Sequence, residues 1–268
     1  MMAKYLIRQG LLIMKSRIIG ELEKIENDND VTVLYACESG SRAWGFNRED
    51  SDYDVRFIYK RNNRRDYLTL SEKSDVIEVM DGDFDIVGWD VKKALYLHYR
   101  NNPNLREWIL SPIKYIDWRN DIFKGLPDFD SSVLKFHYTN IALNNWKILK
   151  NKTELSKRAI KMYMYNSRSV LVWMIINEGK NPPINIFDLL NQADSLDEDI
   201  KDDINTLVRY YKNGCVNNLD LNLMERINKW MDEYISIMRK DFPKKEVKPD
   251  LKIYDDRFFD IIFPDFKD

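Results

Sequence analysis

The chain is poor in the residues that staple, bend or ligate. Its two cysteines, Cys37 and Cys215, lie far apart in 268 residues. No disulfide framework and no thiolate metal site can be written from them, and a reducing, cytoplasmic setting is expected. His98 and His137 are the only histidines, too few for a zinc site of the two-His or three-His kind with its further ligands. Nine glycines and eight prolines leave no room for collagen-like, linker-rich or low-complexity organisation. Neither sign of charge dominates: 42 Lys and Arg stand against 44 Asp and Glu, a formal net charge of −2, which excludes a simple polybasic arm. The longest apolar run, Val170 to Ile176, is far short of the roughly 20 residues that cross a bilayer. Lys4, Arg8, Lys15 and Arg17 interrupt the apolar residues of the N-terminus, so no signal peptide and no membrane partner are expected. Met14, near the start of a helical pattern, is a second candidate for the start of translation.

Hydrophobic residues make up 44% of the chain and aromatics 13%, enough for a sizeable core in one or two packed domains. Leu11, Ile18, Leu22 and Ile25 fall at helical spacing and run into the breaker Asn27-Asp28-Asn29-Asp30. Val31 to Cys37 is apolar and β-branched, as suits a strand buried on both faces, and Tyr53 to Tyr59 alternates as a strand with one core face. Val76–Met80 and Phe84–Val87, separated by Asp81-Gly82-Asp83, predict a hairpin. From Asp90 the pattern turns helical, with Val91, Ala94, Leu95, Leu97 and His98 as buried candidates, Asn101-Asn102-Pro103 as a stop, and a short helix carrying Leu105, Trp108 and Ile109. After Pro127 helices are expected near 131–151, 155–178, 197–213 and 219–240. A domain boundary therefore falls near residue 128, dividing 1–128 from 129–268. The apolar stretch after Lys244, with Phe258, Phe259, Ile261, Ile262 and Phe263, should pack back on the body.

Charge is unevenly spread. Nine Lys or Arg and two acids lie between residues 135 and 180, and seven acids and one Lys between 185 and 205. Such faces are ordinarily solvated surface; the alternative is contact with phosphate or a polynucleotide.

The chemistry concentrates in Glu38-Ser-Gly-Ser-Arg-Ala-Trp-Gly-Phe46 and Ser51-Asp-Tyr-Asp-Val-Arg-Phe-Ile-Tyr59. Gly40 and Ser41 follow a buried strand, and Arg42 can start a helical turn, an arrangement whose backbone N–H groups can cradle a phosphate. Asp52 and Asp54 are two apart on a strand, so both carboxylates project from one face, about 7 Å apart by strand rise. Hard oxygen ligands so placed suit Mg²⁺ or Mn²⁺. Asp85, between Phe84 and Ile86 on a later strand, can bring a third carboxylate, giving a two-metal phosphoryl-transfer site. Arg56 shares the strand face of Asp52 and Asp54 and can pair with a carboxylate or touch phosphate. Lys161, Tyr165 and Arg168, spaced four and three apart and extended by Lys157, line one helix face.

These motifs together resemble the nucleotidyltransferase superfamily of DNA polymerase β, with its Gly-Ser turn, Asp-x-Asp strand and later single Asp. More narrowly, with Tyr67-Leu68, Asp85-Ile-Val-Gly-Trp-Asp90, Leu105 to Pro112 and Pro182-Pro183, the chain resembles the RlaP or YcgL type of nucleotidyltransferase, named for association with RNA ligases. The resemblance implies an α+β fold, in which a polymerase-β-like nucleotidyltransferase domain with a small mixed sheet is followed by an α-helical domain. It implies metal ligands at Asp52 and Asp54 and a third acid best placed at Asp85; the rival, Asp90, reads better as a helix N-cap. It gives Gly40, Ser41, Arg42, Arg56, Lys161 and Arg168 to the nucleotide, the last two to its triphosphate tail. The reaction implied is attack of an acceptor hydroxyl on the α-phosphate of an NTP with release of pyrophosphate. An RNA end is the leading acceptor, and an RNA ligase or other RNA-repair protein the partner suggested by resemblance. Protein or small-molecule nucleotidylation, and a catalytically silent regulatory or antitoxin module, are the alternatives. Trp44, Trp89, Trp108 and Trp173 are expected as packing residues, and His137 as a buried, hydrogen-bonded side chain.

Overall fold

The computed structural model describes residues 2–117, 121–150, 156–214, 220–241 and 249–266, with the side chains from residue 12 onward. Expectations attached to Cys215, Lys152, Lys244, Lys4, Arg8 and the Leu11 side chain lie outside the described residues. Two compact units form: Met1–Gly40, Asp52–Asp128 and Lys248–Asp268 make the first, and Ser41–Ser51 with Phe129–Val247 the second. The chain thus changes unit after Asp128, at both ends of the short Ser41–Ser51 segment and again at Lys248. Apolar anchoring accounts for the short segment and for the return at Lys248. Phe46 is buried in the helical core, and Tyr254, Ile261 and Ile262 are buried in the sheet unit.

The sheet unit opens with α1 (Met2–Asn29), whose Ile18, Leu22 and Ile25 are buried on one stripe. The helix stops where Asp30 takes φ 51°, and the chain enters β1 (Val31–Glu38), buried at every position but Thr32. β1 leads into a four-residue helical turn, α2 (Gly40–Ala43), and then β2 (Tyr53–Arg61), β3 (Val76–Asp81) and β4 (Phe84–Asp90). α3 (Val91–Tyr99), α4 (Pro103–Ile109) and β5 (Lys114–Ile116) follow. The sheet order is β3-β4-β2-β1-β5. β2 and β4 run parallel while every other pair is antiparallel, so the fold is α+β with a mixed five-stranded sheet. The expected hairpin is β3–β4, closed by Gly82 at φ 57° and Asp83 between the paired Asp81 and Phe84. The parallel register sets Phe57 opposite Gly88, and a Cβ on Gly88 would come within 2.1 Å of the Phe57 ring, so the missing side chain there is a packing requirement. Trp89 stacks on Trp108 with ring centroids 3.7 Å apart. Leu97 is half-buried, since the helix presents Ala94, Leu95 and His98 to the core instead.

The helical unit holds α5 (Ser131–Leu149), α6 (Lys157–Asn177), α7 (Ile186–Gln192), α8 (Glu198–Lys212) and α9 (Leu221–Lys240) around one core. Asp130, Ser156, Asn185 and Asp220 each accept a backbone N–H as N-caps, which is why the helices begin where they do. α7 has no counterpart among the expected helices because seven residues give too short a period to read. His137 is half-buried, with Tyr138 set edge-on to it. No described helix is long and apolar enough to cross a membrane.

α10 (Leu251–Ile262) returns to α3 in the sheet unit. The His98 Nδ1 and Tyr254 hydroxyl share a hydrogen bond of 3.0 Å, and Arg257 donates to the Ile122 carbonyl at 2.9 Å. Burial lowers the His98 pKa from the ordinary 6.5 to about 4. The unfolded chain takes up this proton near pH 6.5 while the folded ring resists it until about pH 4, so the fold loses stability as pH falls through that window. We expect about 1–3 kcal/mol of unfolding free energy to be lost between these limits through this group. In urea denaturation, His98→Gln should show a flatter pH dependence than the wild type over the same range.

Candidate functional site

In the sheet unit the period of two along β2 buries Val55, Phe57 and Tyr59 on one side and leaves Asp54 and Arg56 half-buried on the other. Along β4 the same alternation buries Phe84, Ile86, Gly88 and Asp90 and leaves Asp85 with Val87 and Trp89 on the second face. The parallel register pairs Asp54 with Asp85. Two carboxylates on neighbouring strands repel unless a cation lies with them. Arg56 supplies it: Nη2 lies 3.2 Å from Asp54 Oδ1 and 2.8 Å from Asp85 Oδ2, while Nη1 donates to the carbonyls of Asp85 at 2.7 Å and Val55 at 3.0 Å. Of the two roles open to Arg56, the structure thus displays the carboxylate partner.

The backbone behind Asp54 is held by an acid to which the motif reading assigns no role. Glu38 is fully buried at the end of β1; its Oε1 accepts the Asp54 N–H at 2.9 Å and its Oε2 accepts the Tyr115 hydroxyl. The Ser39 N–H in turn donates to the Asp54 carbonyl at 2.8 Å. The signal was present, because a carboxylate closing an apolar strand must find donors. Neighbouring Cys37 carries no chemistry: burial pushes its thiol up to about 12, which leaves it protonated and unreactive.

Gly40 follows with φ 57°, and a Cβ there would fall 1.9 Å from Asp54 Oδ2. The glycine of the Gly-Ser turn is therefore required by the carboxylate beside it. Asp52 is exposed, in the residue pair just ahead of β2. Asp90 is on the opposite face from Asp85, buried, capping α3 through the Lys92 N–H at 2.8 Å and accepting the Tyr67 hydroxyl at 2.9 Å. Burial pushes its carboxyl up. The acids brought together are Asp54 and Asp85. Among the described residues no group of three or more His, Cys, Asp or Glu is gathered as a metal cluster. Two hard carboxylates flanking a positive charge are donors of the kind a divalent ion takes, and Asp52, ahead of β2, is not gathered with them as a third.

In the helical unit, residues 41–51 pack with the helices. Ser41 is buried, its carbonyl accepting the Phe46 N–H at 3.1 Å, and Arg42 Nη2 donates to the Ser51 carbonyl at 2.6 Å. Arg168 is buried at 4% exposure, its guanidinium 4.2 Å from the Trp44 ring centroid and its Nε donating to the Ile184 carbonyl at 3.1 Å. Lys161 is half-buried with Nζ 5.7 Å from the Tyr165 ring centroid. Lys157 pairs with Asp50, which also holds Arg48. Lys135, Lys150 and Lys180 pair with Asp241, Asp232 and Glu178, so much of the local basic excess is spent on surface ion pairs. Arg48 was absent from the sequence-derived set. It donates to the Tyr211 carbonyl at 3.0 Å across 163 residues, a pairing that no local pattern announces.

Comparison with known proteins gives the family. Residues 14–260 match the family described as RlaP, the RNA repair pathway DNA polymerase beta family. A protein called YcgL from Bacillus subtilis, itself described as uncharacterized, is 38% identical over 213 residues, 75% of this chain and 78% of that one. A solved nucleotidyltransferase-like protein from Exiguobacterium sibiricum aligns over 92% of this chain and 79% of its own, at 12% identity and a TM-score of 0.32, a likeness too slight to argue from. The class is that of the polymerase-β-like nucleotidyltransferases, and within it this chain belongs to the RlaP family.

Gly40 and Gly82 share φ 57°, but a Cβ at Gly82 meets nothing within 4 Å. Gly82→Ala should therefore cost about 1 kcal/mol, the strain of the left-handed backbone alone. Gly40→Ala should cost about 2–4 kcal/mol in denaturant unfolding, because the Asp54 carboxylate must also move. Equal costs would show that Asp54 is not held against Gly40.

Proposed function

We propose that this chain is a metal-dependent nucleotidyltransferase that moves a nucleoside monophosphate from an NTP to an acceptor hydroxyl, with an RNA end as the acceptor. The observation that carries the reading is the registered pair Asp54 and Asp85 on one sheet face, in a chain of the RlaP family. Asp52, Asp54 and Asp85 would hold Mg²⁺ or Mn²⁺, which supplies charge neutralisation at the triphosphate. Asp85 positions the attacking hydroxyl and takes up its proton, and the Glu38 carboxylate keeps Asp54 in place through the Asp54 N–H. Gly40, Ser41 and Arg42 are given to phosphate, and residues 1–128 to catalysis. Residues 129–268 are given to NTP and substrate, with Lys161 the accessible cation and Arg168 the less accessible one, held by Trp44 and Ile184. The RNA acceptor, a cytoplasmic setting and an RNA-repair partner such as an RNA ligase rest on the family description and on composition.

Purified protein incubated with Mg²⁺ or Mn²⁺, each α-labelled NTP in turn, and a pool of RNA and cellular protein tests this directly. Label in RNA is the expected result. Label in protein would move the acceptor to a protein hydroxyl, and NTP binding without transfer would mark a silent module. Asp54→Asn should lower transfer at least about a hundredfold with its melting temperature little changed. An unchanged rate would remove Asp54 from the site. Lys161→Ala should weaken NTP binding by about tenfold, the worth of one charge-assisted contact, as read by titration calorimetry.

A further inference from the structure

Arg56 holds the place that the proposed function gives to a divalent ion. Its Nη2 lies 3.2 Å from Asp54 Oδ1 and 2.8 Å from Asp85 Oδ2, the carboxylates that would ligate the ion, so a divalent ion on these acids would stand close to the guanidinium and the two positive charges would repel. Nη1 is tied separately, to the Val55 and Asp85 carbonyls, which are backbone acceptors that an ion on the carboxylates leaves untouched. The side chain is thus anchored at one nitrogen and engaged with the acids at the other. Because it is 16% exposed, it offsets the acid pair in a setting less screened than open solvent.

We propose that Arg56 is an intramolecular counter-cation which competes with the divalent ion for Asp54 and Asp85. Nη2 leaves the carboxylates when the ion enters, while Nη1 keeps its backbone bonds. This rests on the reading of these acids as metal ligands. Two consequences follow from competition. The protein keeps its acid pair compensated and folded without metal, and its metal affinity is lower than the bare acids would give, because binding must displace a charge already in place. A polyanion in the site also favours release of Nη2 by offering the guanidinium another partner, so NTP and metal should each tighten the other.

The test is Mn²⁺ binding, followed by loss of the free-ion paramagnetic resonance signal and by titration calorimetry, in the full chain and in Arg56→Met, Arg56→Lys and Asp54→Asn. Competition predicts Mn²⁺ affinity at least tenfold tighter in Arg56→Met than in the wild type. It also predicts a melting temperature lower in Arg56→Met without metal and restored by Mn²⁺. Arg56→Lys keeps the charge but not the two-nitrogen fork, and should bind Mn²⁺ at an intermediate affinity; if Arg56→Met does not fold, this variant decides. Equal or weaker Mn²⁺ binding in the Arg56 variants, with wild-type binding abolished by Asp54→Asn, would overturn the competition and leave the metal site standing. Absence of Mn²⁺ binding in every protein would overturn both.

Discussion

Two carboxylates set side by side by a parallel strand pair need a positive charge, and the sheet unit is arranged around that need. The pairing of Asp54 with Asp85 is fixed from below by packing: Phe57 lies where a side chain on residue 88 would be, and Gly88 vacates the space. A slip of one residue along β4 would move Asp85 to the buried face and bring Phe84 to the acid face, losing core contacts and burying an acid together. The register is therefore expensive to leave. Arg56 offsets the repulsion the register creates, and lies on the same strand face because the period of two puts residue 56 beside residue 54.

Around this pair the neighbouring groups are tied into the fold. Glu38 is committed to the Asp54 N–H and the Tyr115 hydroxyl, Ser39 to the Asp54 carbonyl, and Gly40 brings backbone rather than side chain against Asp54 Oδ2. Cys37 stays protonated.

What the sequence made legible was whatever repeats at short range. β2 and the β3–β4 hairpin could be read because alternation and Gly82 are local signals, and α1, α3 and the long helices because Ile18, Leu22, Ile25, Ala94 and Leu95 recur at helical spacing. Asp54 and Asp85 were legible as carboxylates on strands, and Asp90 as a cap, since an Asp at the strand-to-helix junction has backbone donors two residues on. The parallel pairing of β2 with β4 was not legible, because it depends on a crossover whose span carries no periodicity of its own. Nor was the allegiance of residues 41–51. Phe46 buries among helices more than ninety residues later, and Gly45 leaves room for Asn185, a contact set by tertiary approach alone. Arg168 reads in sequence as a cation on a helix face, yet tertiary packing closes Trp44 over it.

The contrast between Asp85 and Asp90 shows how far position parity alone divides roles. Five residues separate them on one strand, an odd interval, so they face opposite sides of the sheet. On the buried side Asp90 is enclosed, receives the Lys92 N–H and the Tyr67 hydroxyl, and lies 3.9 Å from Arg61; burial raises its pKa, and every donor around it belongs to the fold. On the other side Asp85 is 30% exposed, with a second carboxylate beside it and the Arg56 guanidinium against both. An acid that must exchange ligands needs solvent access and a displaceable partner, whereas an acid that caps a helix needs neither. The same side chain type is thus enclosed by the fold's own donors on one face and open to solvent on the other, and the strand's alternation assigns which is which.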